Sequence, residues 1–177
     1  MTPPVRIQAD CRVRSKLRLQ SWWKENGDSA RQSARWGNIL PRKVGETRGG
    51  DVRTLCVGPS DWLLVSEVLG TDAISSWLVE SSAVTDEFVA VDVSEGLRVV
   101  TLSGGSSRDL VSKGCGLDLD PQVFPVGRCA RTRLAGLPVI IDCDVRLDCL
   151  NLYVSRSFHS WFEAWLSDAA AEFELPY

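Results

Sequence analysis

The sequence predicts an α+β protein: antiparallel sheets with helices packed on one side, in ferredoxin-like units. Three observations lead there. Short segments of apolar and polar alternation are joined by tight turns, which makes neighbouring strands antiparallel. Segments of helical periodicity fall between the hairpins, an order that gathers helices on one side of a sheet. The strict strand–helix–strand alternation of a parallel nucleotide-binding sheet is missing.

The elements follow in chain order. Residues 1–15 are polar and proline-bearing, and read as an extended arm. Residues 16–23 alternate Leu17 and Leu19 with charged or polar neighbours, which predicts a strand. Residues 24–50 are rich in Gly, Asn, Ser and Arg and read as a long excursion, with a short helix around 29–36. Thr54–Val57 and Trp62–Ser66 are expected to form a hairpin around Gly58-Pro59-Ser60-Asp61. Thr71 is placed to cap a helix that carries Asp72 in its first turn and Ile74, Trp77 and Leu78 on one face. Phe88–Val93 and Leu97–Leu102 read as a second hairpin around Ser94-Glu95-Gly96. A short helix over 106–113 ends at Gly114, with Lys113 where the helix dipole favours a cation. A proline-bearing loop, 117–126, leads to strands at 128–134, 138–143 and 149–154. In the last of these Leu150, Leu152 and Val154 share one face and Asn151 and Tyr153 the other. Phe158, Trp161, Phe162, Trp165, Leu166 and Ala169 repeat at helical spacing, predicting an amphipathic helix over 157–171.

Size and composition suit one compact domain with an attached arm: 177 residues, 44% hydrophobic and 24% charged, with seven Trp and five Phe to fill a core. The division expected is a basic N-terminal arm and excursion, 1–50, followed by an α+β domain, 51–177. No run of about 18 apolar residues is present, and the first residues lack the apolar stretch of a secretion signal, so a cytoplasmic protein without a membrane span is expected. Net charge is −3 but uneven. Residues 1–60 hold 12 Lys and Arg against 5 Asp and Glu, whereas residues 61–177 hold 8 against 18. Such polarity marks an acidic partner, a nucleic acid, an acidic membrane surface or a solvated tail.

The residue types that carry chemistry do not assemble into a known pattern. Six cysteines and one histidine occur without a Cys-x-x-Cys pair, so zinc ligation is not expected and buried reduced thiols are. Ser103-Gly104-Gly105-Ser106 precedes a helix but lacks the Gly-Lys pair of a phosphate loop and the spacing of a dinucleotide fingerprint, leaving a strand-to-helix turn. His159 and Ser160 are adjacent on a helix and point about 100° apart, so they form no nucleophile–base pair. Asp142, Asp144 and Asp148 match no calcium loop and read as a solvated turn. No catalytic, cofactor-binding or metal-binding residue is therefore assigned. The partner-binding candidates are Arg12, Arg14, Arg18, Trp22 and Trp23, because Arg and Trp dominate interface hot spots. The same residues could stack bases, as in nucleic-acid binders.

Several segments, in this order, resemble a known family. They are 55–66 (Leu-Cys-Val-Gly-Pro-Ser-Asp-Trp-Leu-Leu-Val-Ser), 91–96 (Val-Asp-Val-Ser-Glu-Gly), 102–119, 124–130 (Phe-Pro-Val-Gly-Arg-Cys-Ala) and 152–158 (Leu-Tyr-Val-Ser-Arg-Ser-Phe). Together they resemble the gamma subunit of heterotetrameric sarcosine oxidase. The resemblance implies a subunit without a prosthetic group, built like part of the folate-binding aminomethyltransferase of glycine cleavage. It implies partners too: an alpha subunit with NAD and a folate-binding region, a beta subunit with FAD and covalent FMN, and a delta subunit with zinc. The assembly implied demethylates sarcosine oxidatively, with tetrahydrofolate as one-carbon acceptor and oxygen as electron acceptor. The chain departs from the aminomethyltransferase pattern after Gly127. A longer hairpin ending in an acidic, folate-contacting residue is expected there, and Arg128–Leu134 instead turns through Ala135-Gly136 to Pro138. A free-standing folate-dependent aminomethyltransferase-like enzyme and an RNA-binding module are the alternatives. The short length opposes the first and the acidic balance the second.

Overall fold

The computed structural model describes residues 5–9, 15–21, 39–81, 88–144 and 149–174. The expected helix around 29–36 lies outside them. Ten strands fall into two five-stranded sheets, every pairing antiparallel. With the helices these make an α+β protein, as the alternation and turns predict. The chain divides into two compact units, Arg12–Ser94 and Glu95–Tyr177 together with Met1–Cys11.

In the Arg12–Ser94 unit the strands are β2 (Ser15–Ser21), β3 (Thr47–Arg48), β4 (Arg53–Gly58), β5 (Asp61–Ser66) and β6 (Phe88–Asp92), in the order β3-β4-β5-β2-β6. The predicted β4–β5 hairpin is present. Its Gly58 and Asp61 pair across Pro59-Ser60, with Ser60 in the left-handed region at φ 52°. Helix α1 (Thr71–Ser81) buries Ile74 and Leu78 against Leu17, Leu19, Cys56, Trp62 and Leu64. Ile74 N–H bonds Gly70 C=O, so Thr71 stands as the first helical residue and not as the cap. Residues 39–41 are tied to the sheet: Thr54 Oγ1 donates to Ile39 O and Trp62 Nε1 to Pro41 O, each at 2.9 Å.

The other unit holds β1 (Arg6–Ala9), β7 (Leu97–Ser103), β8 (Cys129–Leu134), β9 (Leu137–Cys143) and β10 (Cys149–Ser155), in the order β1-β7-β10-β9-β8. Helices α2 (Ser107–Ser112) and α3 (His159–Glu174) complete it, α3 preceded by a 3-10 turn over Arg156–Phe158. Leu150, Leu152 and Val154 enter a core with Leu110, Val111, Phe162 and Leu166. Thr101 donates to Asn151 on the opposite face at 2.9 Å, which confirms the facing predicted for β10. β8 and β9 join through Ala135-Gly136, with φ 51° and 81°. Two positive φ values in a two-residue loop match the twist of a hairpin, although alanine is poorly suited to the first.

One predicted pairing is wrong. Phe88–Val93 and Leu97–Leu102 do not form a hairpin; β6 pairs with β2 in one sheet, and β7 with β1 and β10 in the other. The local hydrogen bonds show why. Lys16 N donates to Ser94 Oγ at 2.9 Å, Val93 N to Lys16 O at 2.9 Å, and Ser94 N to Asp92 Oδ1 at 2.8 Å. Residues 92–94 are thus held to β2, and Ser94-Glu95-Gly96 carries the chain onward instead of folding it back.

Candidate functional site

Of the five partner-binding candidates, Arg12, Arg14, Trp22 and Trp23 lie outside the described residues. Arg18 sits on β2, and its guanidinium grips Asp61 through two bonds, Nε–Oδ1 at 3.0 Å and Nη2–Oδ2 at 2.9 Å. The Asp61 bond is the main reason the Arg18 pKa lies above its ordinary value. Asp61 is buried while the Arg18 side chain stays 42% exposed, so this cation serves the fold first. Lys16, which also belongs to the basic segment, is buried, and its Nζ donates to Ser94 O at 3.2 Å.

Two further cations organise the Glu95–Tyr177 unit: Arg108, which sequence reasoning passed over, and Lys113, expected only as a helix-terminal cation. Arg108 on α2 donates from Nη1 to Leu119 O and, at 2.9 Å, to Phe124 O; its Nη2 lies 3.0 Å from Cys143 Sγ. One guanidinium therefore pins the 117–126 loop at two points, Leu119 and Phe124, beside β9, a task suited to its planar fork of donors. Asp118 and Asp120 curl the same loop by accepting from the backbone two residues on, at 2.9 and 2.8 Å. Lys113 donates to Ala169 O at 2.8 Å, pairs with Glu172 at 3.0 Å and lies 5.4 Å above the Phe173 ring, joining α2 to the end of α3. The predicted helix-terminal cation is thus the C-cap residue of α2, and its side chain ties α2 to α3.

The side chains of catalytic type are differently placed. His159 Nε2 lies 3.5 Å from Glu163 Oε1, one turn along the same helix. Cys56, Cys115, Cys129, Cys143 and Cys149 are buried thiols, none in a disulfide, and burial pushes the Cys56 thiol above its usual range. Asp142, expected in a solvated turn, is instead fully buried within β9. Among the described residues, no three His, Cys, Asp or Glu side chains converge as a metal set would, and no helix is long and apolar enough to cross a membrane. Exposed large apolar side chains include Val89, Val91, Phe158 and Trp161.

Residues 29–172 match the family described as "Sarcosine oxidase, gamma subunit family". The chain is 31% identical to the sarcosine oxidase subunit gamma of an Arthrobacter species, over 81% of this chain and 70% of that one. It is 30% identical to the subunit gamma of Corynebacterium sp. strain U-96, over 80% and 68%. Among solved structures it is similar to a chain of the heterotetrameric sarcosine oxidase from Corynebacterium sp. U-96 in complex with pyrrole 2-carboxylate. There the TM-score is 0.81 and the identity 26%, covering 98% of this chain and 87% of that one. The glycine cleavage system aminomethyltransferase T from Bartonella henselae shares the fold, with a TM-score of 0.63 at 9% identity, over 92% of this chain and 45% of that one.

Proposed function

The chain belongs to the sarcosine oxidase gamma subunit family, and from that premise we propose that it is the non-catalytic gamma subunit of a heterotetrameric oxidase that demethylates sarcosine, or a related N-methyl amine, to glycine. The carrying observation is its near-complete overlay on a chain of a heterotetrameric sarcosine oxidase. In this reading the alpha, beta and delta subunits are its partners in the cytoplasm. They hold the NAD, FAD, covalent FMN and zinc, while tetrahydrofolate takes the one-carbon unit and oxygen the two electrons.

The chain's own residues supply a stiff scaffold for that assembly. Arg108 holds the 117–126 loop at Leu119 and Phe124, Lys113 locks two helices, and the Arg18–Asp61 pair ties β2 to β5. Pre-ordered surfaces bind with less entropy to lose, which suits a buttressing subunit. The test is co-expression of the other subunits with and without this chain. Sarcosine-dependent peroxide release should need all four, and the purified chain alone should give none. Sarcosine oxidation or folate-dependent methylene transfer by the isolated chain would overturn the proposal.

A further inference from the structure

Large apolar side chains stand exposed at several places among the described residues, and all but two of them are valines. The two are aromatic neighbours: Phe158 and Trp161, three residues apart where the 3-10 turn runs into α3. Single exposed valines are ordinary, whereas adjacent aromatics left in water forgo some of the largest gains that burial offers. Trp161, Trp165, Asp168 and Glu172 follow at spacings of four, three and four residues, so they share one side of α3. Trp165 packs partly against the core of its unit, and Trp161 and Phe158 carry the same stripe outward. The exposed helical neighbours of Trp161, Ser157 and Ala164, are too short to cover its ring. The far half of this side is acidic. Asp168 is exposed, Glu172 is 57% exposed, and at four residues apart their like charges repel. α3 contains no Lys or Arg of its own, and acids in its C-terminal half lie toward the negative end of the helix dipole. Lys113 answers Glu172 at 3.0 Å, and among the described residues no cation answers Asp168.

We propose that this side of α3 is a docking face for another subunit of the oxidase, one that offers an apolar socket to Phe158 and Trp161 and a Lys or Arg to Asp168. Tryptophan is among the residue types most enriched where binding energy concentrates, at contacts that exclude water. The charges choose the occupant. A basic group on the partner relieves the repulsion between Asp168 and Glu172 and supplies the cation that α3 lacks. A second copy of the chain fits less well. Parallel packing of two α3 helices sets acids beside acids, and antiparallel packing sets the aromatic half of each against the acidic half of the other. That contact strips water from Asp168 without giving it a partner, which is costly. Arg156, the cation at the aromatic end, already has Glu95 at 3.4 Å. This inference rests on the subunit reading above and adds the surface by which the chain engages a partner.

The experiment follows hydroxyl-radical oxidation of Trp161 by mass spectrometry, in the full isolated chain and in the co-purified four-subunit complex. Trp161 should be oxidised readily in the isolated chain and at least about tenfold more slowly in the complex, as befits an aromatic that loses its water there. Two variants follow, each melted first as the isolated chain. Trp161→Ala should fold normally, and its recovery with the other subunits should fall about tenfold or more. Asp168→Lys replaces a repelling pair with an attracting one along the helix, so the isolated variant should melt at or above the wild-type temperature. Its recovery should nevertheless fall about tenfold at low salt and less at high salt, because the charge offered to the partner is reversed. The oxidation arm needs no substitution and decides the matter if a variant melts low. Unchanged oxidation of Trp161 in the complex, or full recovery of either variant, overturns the inference and leaves the subunit reading standing. Protection of Trp161 in the isolated chain, accompanied by a dimer in sedimentation, overturns it in favour of a second copy. Failure of the wild-type chain to co-purify at all overturns the subunit reading itself, and this inference with it.

Discussion

Arg18 shows how one residue can satisfy a sequence criterion for binding and still be committed to the fold. Its guanidinium meets the Asp61 carboxylate in a two-point contact across β2 and β5. Asp61 is 7% exposed, and removing its partner leaves a carboxylate with poor access to water. Because Arg18 itself keeps substantial solvent contact, the cost is discounted from that of a fully buried pair. Arg18→Ala should lower stability by about 1–2 kcal/mol at neutral pH, and Arg18→Glu by more, since two carboxylates then share the site. Urea denaturation of the isolated chain checks this. If Arg18→Glu unfolds at the same midpoint as the wild type, the pair is a surface contact of no consequence. Any experiment that reverses Arg18 to probe a partner must therefore be read with its loss of stability in view.

At the scale of elements, most of the architecture was legible because period-2 and period-3.6 patterns report local burial directly. β4–β5, β8–β9–β10 and α2 sit within a residue or two of their expected spans, α1 begins at Thr71, and α3 starts two residues later and ends three residues later than expected. β6–β7 was illegible because a turn-like tripeptide between two strands looks the same whether the chain folds back or crosses to another sheet. The decisive bonds run to Lys16, 78 residues away. The α3 stripe was legible in period but not in phase. Phe162, Leu166, Ala169 and Ala170 are buried, Trp165 packs partly against them, and Phe158 and Trp161 are 41% and 52% exposed. A 3-10 turn takes up Phe158, and with about 100° per residue the buried arc centres near Phe162 and Leu166, leaving Trp161 on the flank. Arg108 went unread, and Lys113 was legible only as a helix-terminal cation, because a cation's carbonyl partners leave no mark in sequence. Trp165→Ala should thus cost about 2–4 kcal/mol and Trp161→Ala less than about 0.5 kcal/mol. Gly114→Ala should join the costly group, because a Cβ there stands 2.7 Å from the Trp165 ring. Equal melting of the two Trp variants would show that the phase assigned to α3 is wrong.

Across the whole molecule the charge is polarised, with an excess of +7 over residues 1–60 and −10 from residue 61 onward. Part of that basic excess is already neutralised inside the fold by the Arg18–Asp61 pair. Arg12 and Arg14, with Trp22 and Trp23 close behind in sequence, remain as the cationic and aromatic residues proposed to meet a partner. We propose that this basic segment lies across an acidic surface of the large folate-binding subunit. Electrostatic steering of that kind acts mainly on the association rate and weakens with salt. The clean perturbation is the double exchange Arg12→Glu and Arg14→Glu, leaving Arg18 in place. Melting of the isolated variant is measured first, so that a loss of stability is separated from a loss of association. Its association with the partner subunits should slow about tenfold at low salt, and the difference should shrink as salt screens both proteins. Demethylation per assembled complex should stay unchanged, since no group assigned to chemistry has been altered. Pull-down at two salt concentrations, followed by an activity assay on the recovered complex, separates the outcomes. Equal recovery at both salts would mean that the basic segment has no part in assembly.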